Sequence, residues 1–300
     1  MPHQPDSDDD TNHPRQSSQV IPSDFSPRML DLFLKIQKRG LEPLLPASWR
    51  IDFPLLSPDL FFPENVQKII PIRAMNPGDA NEFRGRFALD KLQLLGRSVR
   101  GRLDRNRFCR SNEQLPVEPT IKLECKRFAR WASQDSRIPP PQIPFLSIVS
   151  SNCTYTSNFY IGQHQVEYDF CAQKLETKLR KLADAHMRVR QLLNANKAPP
   201  TPPREGGLGH FGFASVYGLA ICGPRVALVA LGTNLPAHNP MRTLVVADFT
   251  NSDQDVYNAI AIALLILAAR DEEHEWALDR EIAHLAGKFN DFCMLDDEDF

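Results

Sequence analysis

Residues 211–249 decide the fold, and they read FGFASVYGLAICGPRVALVALGTNLPAHNPMRTLVVADF. Three apolar runs lie within this stretch, at 211–222, 226–231 and 244–249, and each has the length and composition of a β-strand. Only a short turn containing Gly223 and Pro224 separates the first two runs, so we expect them to form a hairpin. A further apolar run at 145–149 is typical of a buried strand.

Helical patterns surround these runs. Apolar residues recur at three- and four-residue spacing over 27–40, 79–100 and 166–196, and each pattern predicts an amphipathic helix. Two more helices are predicted at 253–270 and 276–289. The apolar run 259–269 is shorter than the roughly 20 residues that cross a bilayer, so we expect a buried core helix. The sequence therefore predicts a mixed α/β (α+β) domain, with a small central sheet of three to five strands flanked by helices.

Composition divides the 300-residue chain into segments. Residues 1–26 are polar and acidic and predict a disordered tail. Prolines interrupt 27–78 after its first helix, the main α/β domain is expected over 79–290, and a second acidic tail is expected at 291–300. The net charge is only −2, so total charge does not point to a nucleic-acid partner.

The N-terminus and the cysteines bear on the compartment. The first 26 residues lack the basic start and apolar core of a signal peptide. The six cysteines are scattered without CxxC pairs, which favours reduced thiols and disfavours zinc. We therefore expect a nuclear or cytoplasmic protein that is not secreted and has no membrane segment.

A carboxylate and a lysine two residues apart, Glu124 and Lys126, form the first candidate catalytic site. Residues 120–125 alternate in polarity and predict a strand, although Phe128 and Trp131 equally suit a continuing helix. On a strand, residues two apart face the same side. Glu124 would then hold Mg²⁺, and Lys126 would orient the attacking nucleophile. The alternative is a solvated charge pair.

Glu82 is the candidate second magnesium ligand, because it stands early in the helix predicted from residue 79. Nucleases of the PD-(D/E)XK class combine an E-x-K pair with an Asp on the preceding strand and often a Glu on the first helix. No Asp stands in the required place here. Asp59 precedes the predicted helix, and Asp104 lies within an arginine-rich run that has no strand pattern.

Further segments lie along the chain in a recognisable order: Pro144-Phe145-Leu146-Ser147-Ile148-Val149, Asn158-Phe159-Tyr160-Ile161, Gln163-His164-Gln165, Val216-Tyr217-Gly218-Leu219 and residues 241–250. This order resembles fungal PD-(D/E)XK nuclease-like domains and covers about residues 79–285. The resemblance implies a restriction-endonuclease-like fold, contact with DNA or RNA, and Mg²⁺-dependent hydrolysis of phosphodiester bonds.

The chain departs from that family at one decisive place. Where the family has Glu and Lys at the end of the strand, this chain has Ile148-Val149-Ser150-Ser151, which offers no metal ligand. In this alignment Asp135 is the only nearby acid and catalysis is lost. Gln163 and Gln165 then remain as polar residues beside a vacant pocket. The position of the E-x-K pair stays open between the two alternatives.

An arginine run supplies the candidate nucleic-acid contact. Six arginines and one aspartate lie between residues 94 and 111, a local excess of positive charge that can neutralise several phosphates. Phe108 offers a ring for stacking. The alternative is a solvated helix end, where basic residues suit the helix dipole. The arginines are Arg97, Arg100, Arg102, Arg105, Arg107 and Arg110.

A proline-rich segment supports a rival function. Pro199-Pro200-Thr201-Pro202-Pro203-Arg204 fits the P-x-x-P-x-R pattern that SH3-type grooves bind as a polyproline II helix. An ordinary surface loop is the alternative. The sequence therefore predicts a nuclease-fold protein that contacts nucleic acid, active or inactive, and leaves open a non-enzymatic interaction or regulatory protein.

Overall fold

The computed structural model describes residues 25–64, 69–76, 78–108, 115–137, 143–151, 161–196, 215–233 and 240–278. The predicted N-terminal tail up to residue 24, the predicted C-terminal tail, the proline-rich segment 199–204 and Arg110 lie outside these ranges. In chain order the main elements are α1 (Pro27–Gln37), α2 (Asp79–Gln93), α3 (Leu95–Phe108), α4 (Glu118–Ser136), β1 (Leu146–Ser150), α5 (Ile161–Asn196), β2 (Ser215–Cys222), β3 (Arg225–Gly232), β4 (Arg242–Asp248) and α6 (Asp255–Leu278).

The four strands form one mixed sheet in the order β1-β2-β3-β4. β1 runs parallel to β2, after a crossover through α5, whereas β2, β3 and β4 are antiparallel neighbours. The β2–β3 hairpin turns at Gly223, whose φ of 55° lies in the left-handed region that glycine tolerates. A four-stranded mixed sheet flanked by helices confirms the predicted fold class at this level.

Helices cover both faces of the sheet. Every residue of β2 is buried, as expected for a strand packed on two sides. Gly218 faces α5, where a Cβ would meet the methyl groups of Leu175 at 2.9 Å and a methyl group of Leu179 at 3.1 Å. From the neighbouring position Tyr217 reaches the opposite face, beside Arg28 of α1 and Glu272 of α6. The sheet is therefore the middle of three layers.

The segment between α1 and α2, which also contains many prolines, packs into the same core as the sheet and helices. Trp49 and Leu45 are fully buried, and Leu44 and Leu45 donate backbone hydrogen bonds to the carbonyl of Leu60. Short 3₁₀ helices at Ala47–Ile51 and Pro58–Leu60 accommodate the prolines that exclude a long helix here.

Two sequence-based element predictions are wrong. Residues 120–125 belong to α4, so the predicted strand is wrong and the alternative of a continuing helix is confirmed, with Ile121, Cys125 and Phe128 fully buried on one helical stripe. The break predicted between 270 and 276 is also absent, since α6 continues through Trp276 to Leu278.

The long apolar helix α6 lies in the core. The stretch Ser252–Ala277 is long and apolar enough to cross a membrane by length and composition, and 61% of its most apolar window is buried inside the protein. A soluble core helix passes the same test. The run 259–267 contacts the sheet and neighbouring helices, and all of it is buried, in agreement with the predicted core helix.

A close contact between α3 and α6 fixes the orientation of α3. A Cβ at Gly96 would overlap the carboxylate of Asp255, so only glycine permits the observed separation. The same carboxylate accepts two hydrogen bonds from Arg100, at 2.8 and 2.6 Å, in a bidentate pair. Arg100 also donates to the carbonyl of Phe249, which ties α3 to the end of β4.

We expect Gly96→Ala to lower the free energy of unfolding by about 2 kcal/mol or more, because the new methyl group must displace Asp255. Gly101→Ala is the matched control on the same helix. A Cβ at Gly101 meets nothing within 4 Å, so alanine should stabilise the protein by roughly 0.5–1 kcal/mol. Urea unfolding measures both changes, and a destabilisation of equal size in the two variants would contradict the packing argument.

A buried ion pair joins α4, α6 and the segment before α2. Arg270 donates to Asp135 at 2.8 Å, and the two side chains are 3% and 0% exposed. Asp135 also accepts the backbone N–H groups of Met75 and Asn76, and the side-chain amide of Asn81 at 2.6 Å. This carboxylate therefore holds three parts of the chain together.

We expect Asp135→Ala to lower the free energy of unfolding by about 3–5 kcal/mol, because it removes the buried partner of Arg270 and the acceptor of the Met75 and Asn76 N–H groups. The guanidinium of Arg270 then keeps only the exposed Asp271 as its ion-pair partner among the described residues. Asp31→Ala is the control, since Asp31 pairs with Lys35 on the exposed side of α1. Its loss should change stability by about 0.5 kcal/mol or less. Chemical denaturation measures the free energy of unfolding of both variants. Similar losses in the two would show that the Asp135 cluster stabilises the protein no more than a surface ion pair does.

Candidate nucleic-acid interface

The predicted catalytic pair does not share a face. Glu124 and Lys126 both lie on α4, where two residues correspond to a rotation of about 200°. Glu124 accepts a hydrogen bond from Arg127 at 2.7 Å, an ordinary pair three residues apart on a helix. The geometric reason for assigning Mg²⁺ and a nucleophile to this pair is therefore wrong, since it required a strand.

Glu82, the predicted second ligand, has a structural contact instead. Its Oε1 accepts hydrogen bonds from Trp49 Nε1 at 2.6 Å and from Ser48 Oγ at 3.2 Å. This contact links α2 to the 3₁₀ turn that carries Trp49. Among the described residues, no group of three or more His, Cys, Asp or Glu is placed to hold a metal ion. Glu82 and Glu124 each have a hydrogen-bond partner within the protein, Trp49 and Arg127 respectively.

The alternative position of the catalytic pair, at the end of β1, is built from neutral groups. Ser151 donates its backbone N–H to the carbonyl of Ile221 at 2.9 Å, and its Oγ lies 3.3 Å from the same oxygen. Cys171 Sγ lies 3.5 Å from that carbonyl, and burial raises the pKa of its thiol to about 11. Asp135, the acid expected nearby, is engaged by Arg270. Residues 163 and 165 lie on α5, and their side chains are outside the described part.

The arginine run divides into structural and exposed members. Arg100 is held by Asp255, and Arg102 donates to the carbonyl of Pro116 at 2.9 Å. In contrast, Arg97, Arg105 and Arg107 are exposed. Among the described residues, Arg97 has no ion-pair partner and Arg107 has only a long contact of 3.4 Å with Asp104 on its own helix. Phe108, at the end of the run, is 84% exposed.

The exposed side of α2 continues this surface and was not predicted from the sequence. Phe83 and Phe87 are 58% and 54% exposed, and Leu94 at the junction with α3 is 42% exposed. Lys91 places its ammonium 4.7 Å from the centre of the Phe87 ring, a cation–π contact. Their helical spacing could have identified them from the sequence, since these residues lie on the side of α2 opposite the buried stripe that contains Leu89 and Leu92.

We call this surface the α2–α3 outer face. Its members lie within one side of the two consecutive helices, taking 100° per residue. They are Phe83, Phe87, Lys91, Leu94, Arg97, Arg105 and Phe108, flanked by Arg84. Arg107 is also exposed, at the end of α3, but it lies outside this face.

A second polar cluster lies where the end of α6 meets the start of β2. Arg28 of α1 donates to Glu272 at 2.9 Å and also pairs with the exposed Glu275. Burial raises the pKa of Glu272 to about 7, although the nearby Arg28 opposes the shift. Burial likewise raises the pKa of the adjacent Glu273 to about 7. Both carboxyl groups therefore take up protons near neutrality in the folded protein.

These pKa values predict a stability that depends on pH. Between the ordinary value of 4.5 and about 7, folded Glu272 holds a proton that the unfolded chain has lost, so stability falls as pH rises through this window. Glu272→Gln removes this contribution, which is on the order of 3 kcal/mol. We expect the variant to gain stability relative to the wild type between pH 5 and pH 8.

Urea unfolding at several pH values in this window provides the measurement. Glu275→Gln is the control, because it removes an exposed carboxylate from the same arginine and leaves Glu272 in place. The control should keep the pH slope of the wild type. Parallel slopes for the wild type and Glu272→Gln would show that Glu272 does not titrate in this range.

Comparison of the chain with protein-family models, with curated proteins and with solved structures finds no match in any of the three.

Proposed function

We propose that this chain is a nucleic-acid-binding protein on a nuclease-like α/β scaffold, and that it contacts phosphates through the exposed arginines of α3. The observation that carries the proposal is the position of Arg97, Arg105 and Arg107. All three are exposed, while their neighbours Arg100 and Arg102 are half-buried and bonded to other segments of the chain.

Charge complementarity supports a polyanionic ligand. The exposed charged side chains of α2 and α3 with described surroundings include four arginines, at 84, 97, 105 and 107, and one aspartate, Asp104. A polyanion that meets such a surface releases its counter-ions, so binding weakens steeply as salt rises. Arginine also forms bidentate hydrogen bonds with phosphate oxygens. The overall charge of −2 then requires the acidic residues to lie elsewhere on the chain.

The order of elements supports a nuclease-like scaffold. Strand β1 contains the segment aligned with the catalytic strand of the PD-(D/E)XK-like domains, the long helix α5 follows, and β2, β4 and α6 contain the later segments of the resemblance. In this alignment the catalytic pair is replaced by Ile148-Val149-Ser150-Ser151. The proposal therefore assigns binding to the arginines and assigns no hydrolysis to Glu124 or Lys126.

Fluorescence anisotropy with a labelled oligonucleotide tests the proposal. We expect Arg97→Ala/Arg105→Ala/Arg107→Ala to weaken binding by about tenfold or more and to reduce the salt dependence by about three phosphate contacts. The control removes the same charge from exposed positions elsewhere, as Arg50→Ala/Arg130→Ala/Lys181→Ala. Equal losses in the two triple variants would indicate non-specific attraction to total charge and would contradict an α3 interface.

The same assay separates binding from catalysis. Glu124→Ala/Lys126→Ala should bind the oligonucleotide like the wild type, because neither residue lies on α2 or α3. Any Mg²⁺-dependent nicking of plasmid DNA by the wild type should be unchanged in this variant. Loss of nicking would return the catalytic role to Glu124 and Lys126.

A further inference from the structure

We infer that the α2–α3 outer face binds nucleic acid as a single strand, with bases stacked on Phe83 and Phe87 and phosphates held by the arginines. This inference rests on the proposed function and specifies the form of its ligand. The arginines alone would serve a duplex or a single strand equally well. The exposed rings beside them are what distinguish the two ligands.

The exposed rings lie on α2 and the exposed arginines on α3, and the two helices follow one another directly through Leu94. Hydrogen bonds of the helical i to i−4 kind reach the junction from both sides, from Leu94 to Asp90 at 3.0 Å and from Ser98 to Leu94 at 3.2 Å. Exposed positions recur at 83, 84 and 87 on α2 and at 94, 97, 98, 101, 104, 105 and 108 from the junction onward, with the half-buried Asp90 and Lys91 between the two groups. The buried positions of the same helices, among them Leu89, Leu92, Leu95 and Val99, recur on the opposite side. The outer face covers roughly 16 Å of α2, from Phe83 to Leu94, and roughly 16 Å of α3, from Arg97 to Phe108.

Phe87 offers a ring that already carries a cation. Lys91 lies over one face of this ring at 4.7 Å from its centre. A base that stacks on the remaining ring surface would bring its own phosphate near the same ammonium group. Stacking and charge neutralisation would then act together at one residue.

The apolar exposure favours a single strand over a duplex. Phe83, Phe87 and Phe108 are all more than half exposed. Stacked bases in a duplex have no free faces, so a duplex leaves these rings uncovered, whereas a single strand presents a flat apolar surface at each nucleotide. A single strand can therefore contact both the rings and the arginines, whereas a duplex contacts only the arginines.

The test compares an oligothymidylate of about 16 nucleotides with a duplex of the same length, by anisotropy at fixed salt. We expect wild-type protein to bind the single strand at least about tenfold more tightly. Phe83→Ala/Phe87→Ala should lower affinity for the single strand by about tenfold and change affinity for the duplex by less than about twofold. Phe83→Trp/Phe87→Trp is the control, since it keeps a stacking ring at each position and should retain the preference.

The outcomes separate this inference from the proposed function. If neither nucleic acid binds, both fail. If both bind with equal affinity and the alanine variant behaves like the wild type, the single-strand inference fails and phosphate contact through the arginines stands. Sedimentation of the free protein tests whether a second copy of the chain, rather than nucleic acid, binds the exposed rings. A dimer that the alanine variant abolishes would assign the rings to a protein contact and overturn the inference.

Discussion

The contact between Gly96 and Asp255 determines how the basic helix is presented. A side chain at position 96 would overlap the Asp255 carboxylate, and the absence of one lets α3 lie directly against the start of α6. Arg100 then closes a bidentate pair on that carboxylate from the next turn of α3. Because helix α6 is buried along most of its length, it gives α3 a rigid base. The inner side of α3 is therefore fixed, and Arg97 and Arg105 lie on its outer side, while Arg107 is exposed at the end of the helix.

Much of the fold was predictable because its signals are local and strong. The apolar runs of β2, β3 and β4 and the buried run of α6 are long enough to define their elements without tertiary information. Helix boundaries were less predictable. The helix predicted from residue 253 begins at Asp255, because a 3₁₀ turn at Ser252–Gln254, capped by Asn251, precedes α6. A short 3₁₀ turn at this point leaves no distinct signal in composition.

The error at residues 120–125 has a specific physical cause. The short stretch alternates in polarity, which is the pattern of a strand, but the spacing that matters extends further. Ile121, Cys125, Phe128 and Ala132 are all buried, and they lie three or four residues apart. A six-residue window is too short to separate period 2 from period 3.6, and tertiary packing against α2 and α6 selects the helix. With the helix, the side chains of Glu124 and Lys126 diverge.

The arginine run shows why charge counted along a sequence overstates a binding surface. Six arginines suggest one cluster, yet burial and hydrogen bonding assign two of them to the architecture, since Arg100 joins α3 to α6 and Arg102 binds the carbonyl of Pro116. The count of arginines also gave no indication of the exposed rings, because Phe83 and Phe87 lie on the preceding helix, outside the basic run. On each of the two helices the exposed side lies opposite the helix's own buried stripe, and α2 leads directly into α3 through Leu94. A surface with both exposed rings and arginines contacts the bases as well as the phosphates of a nucleic acid. Stacking on the rings depends on the bases, whereas contact with the phosphates does not.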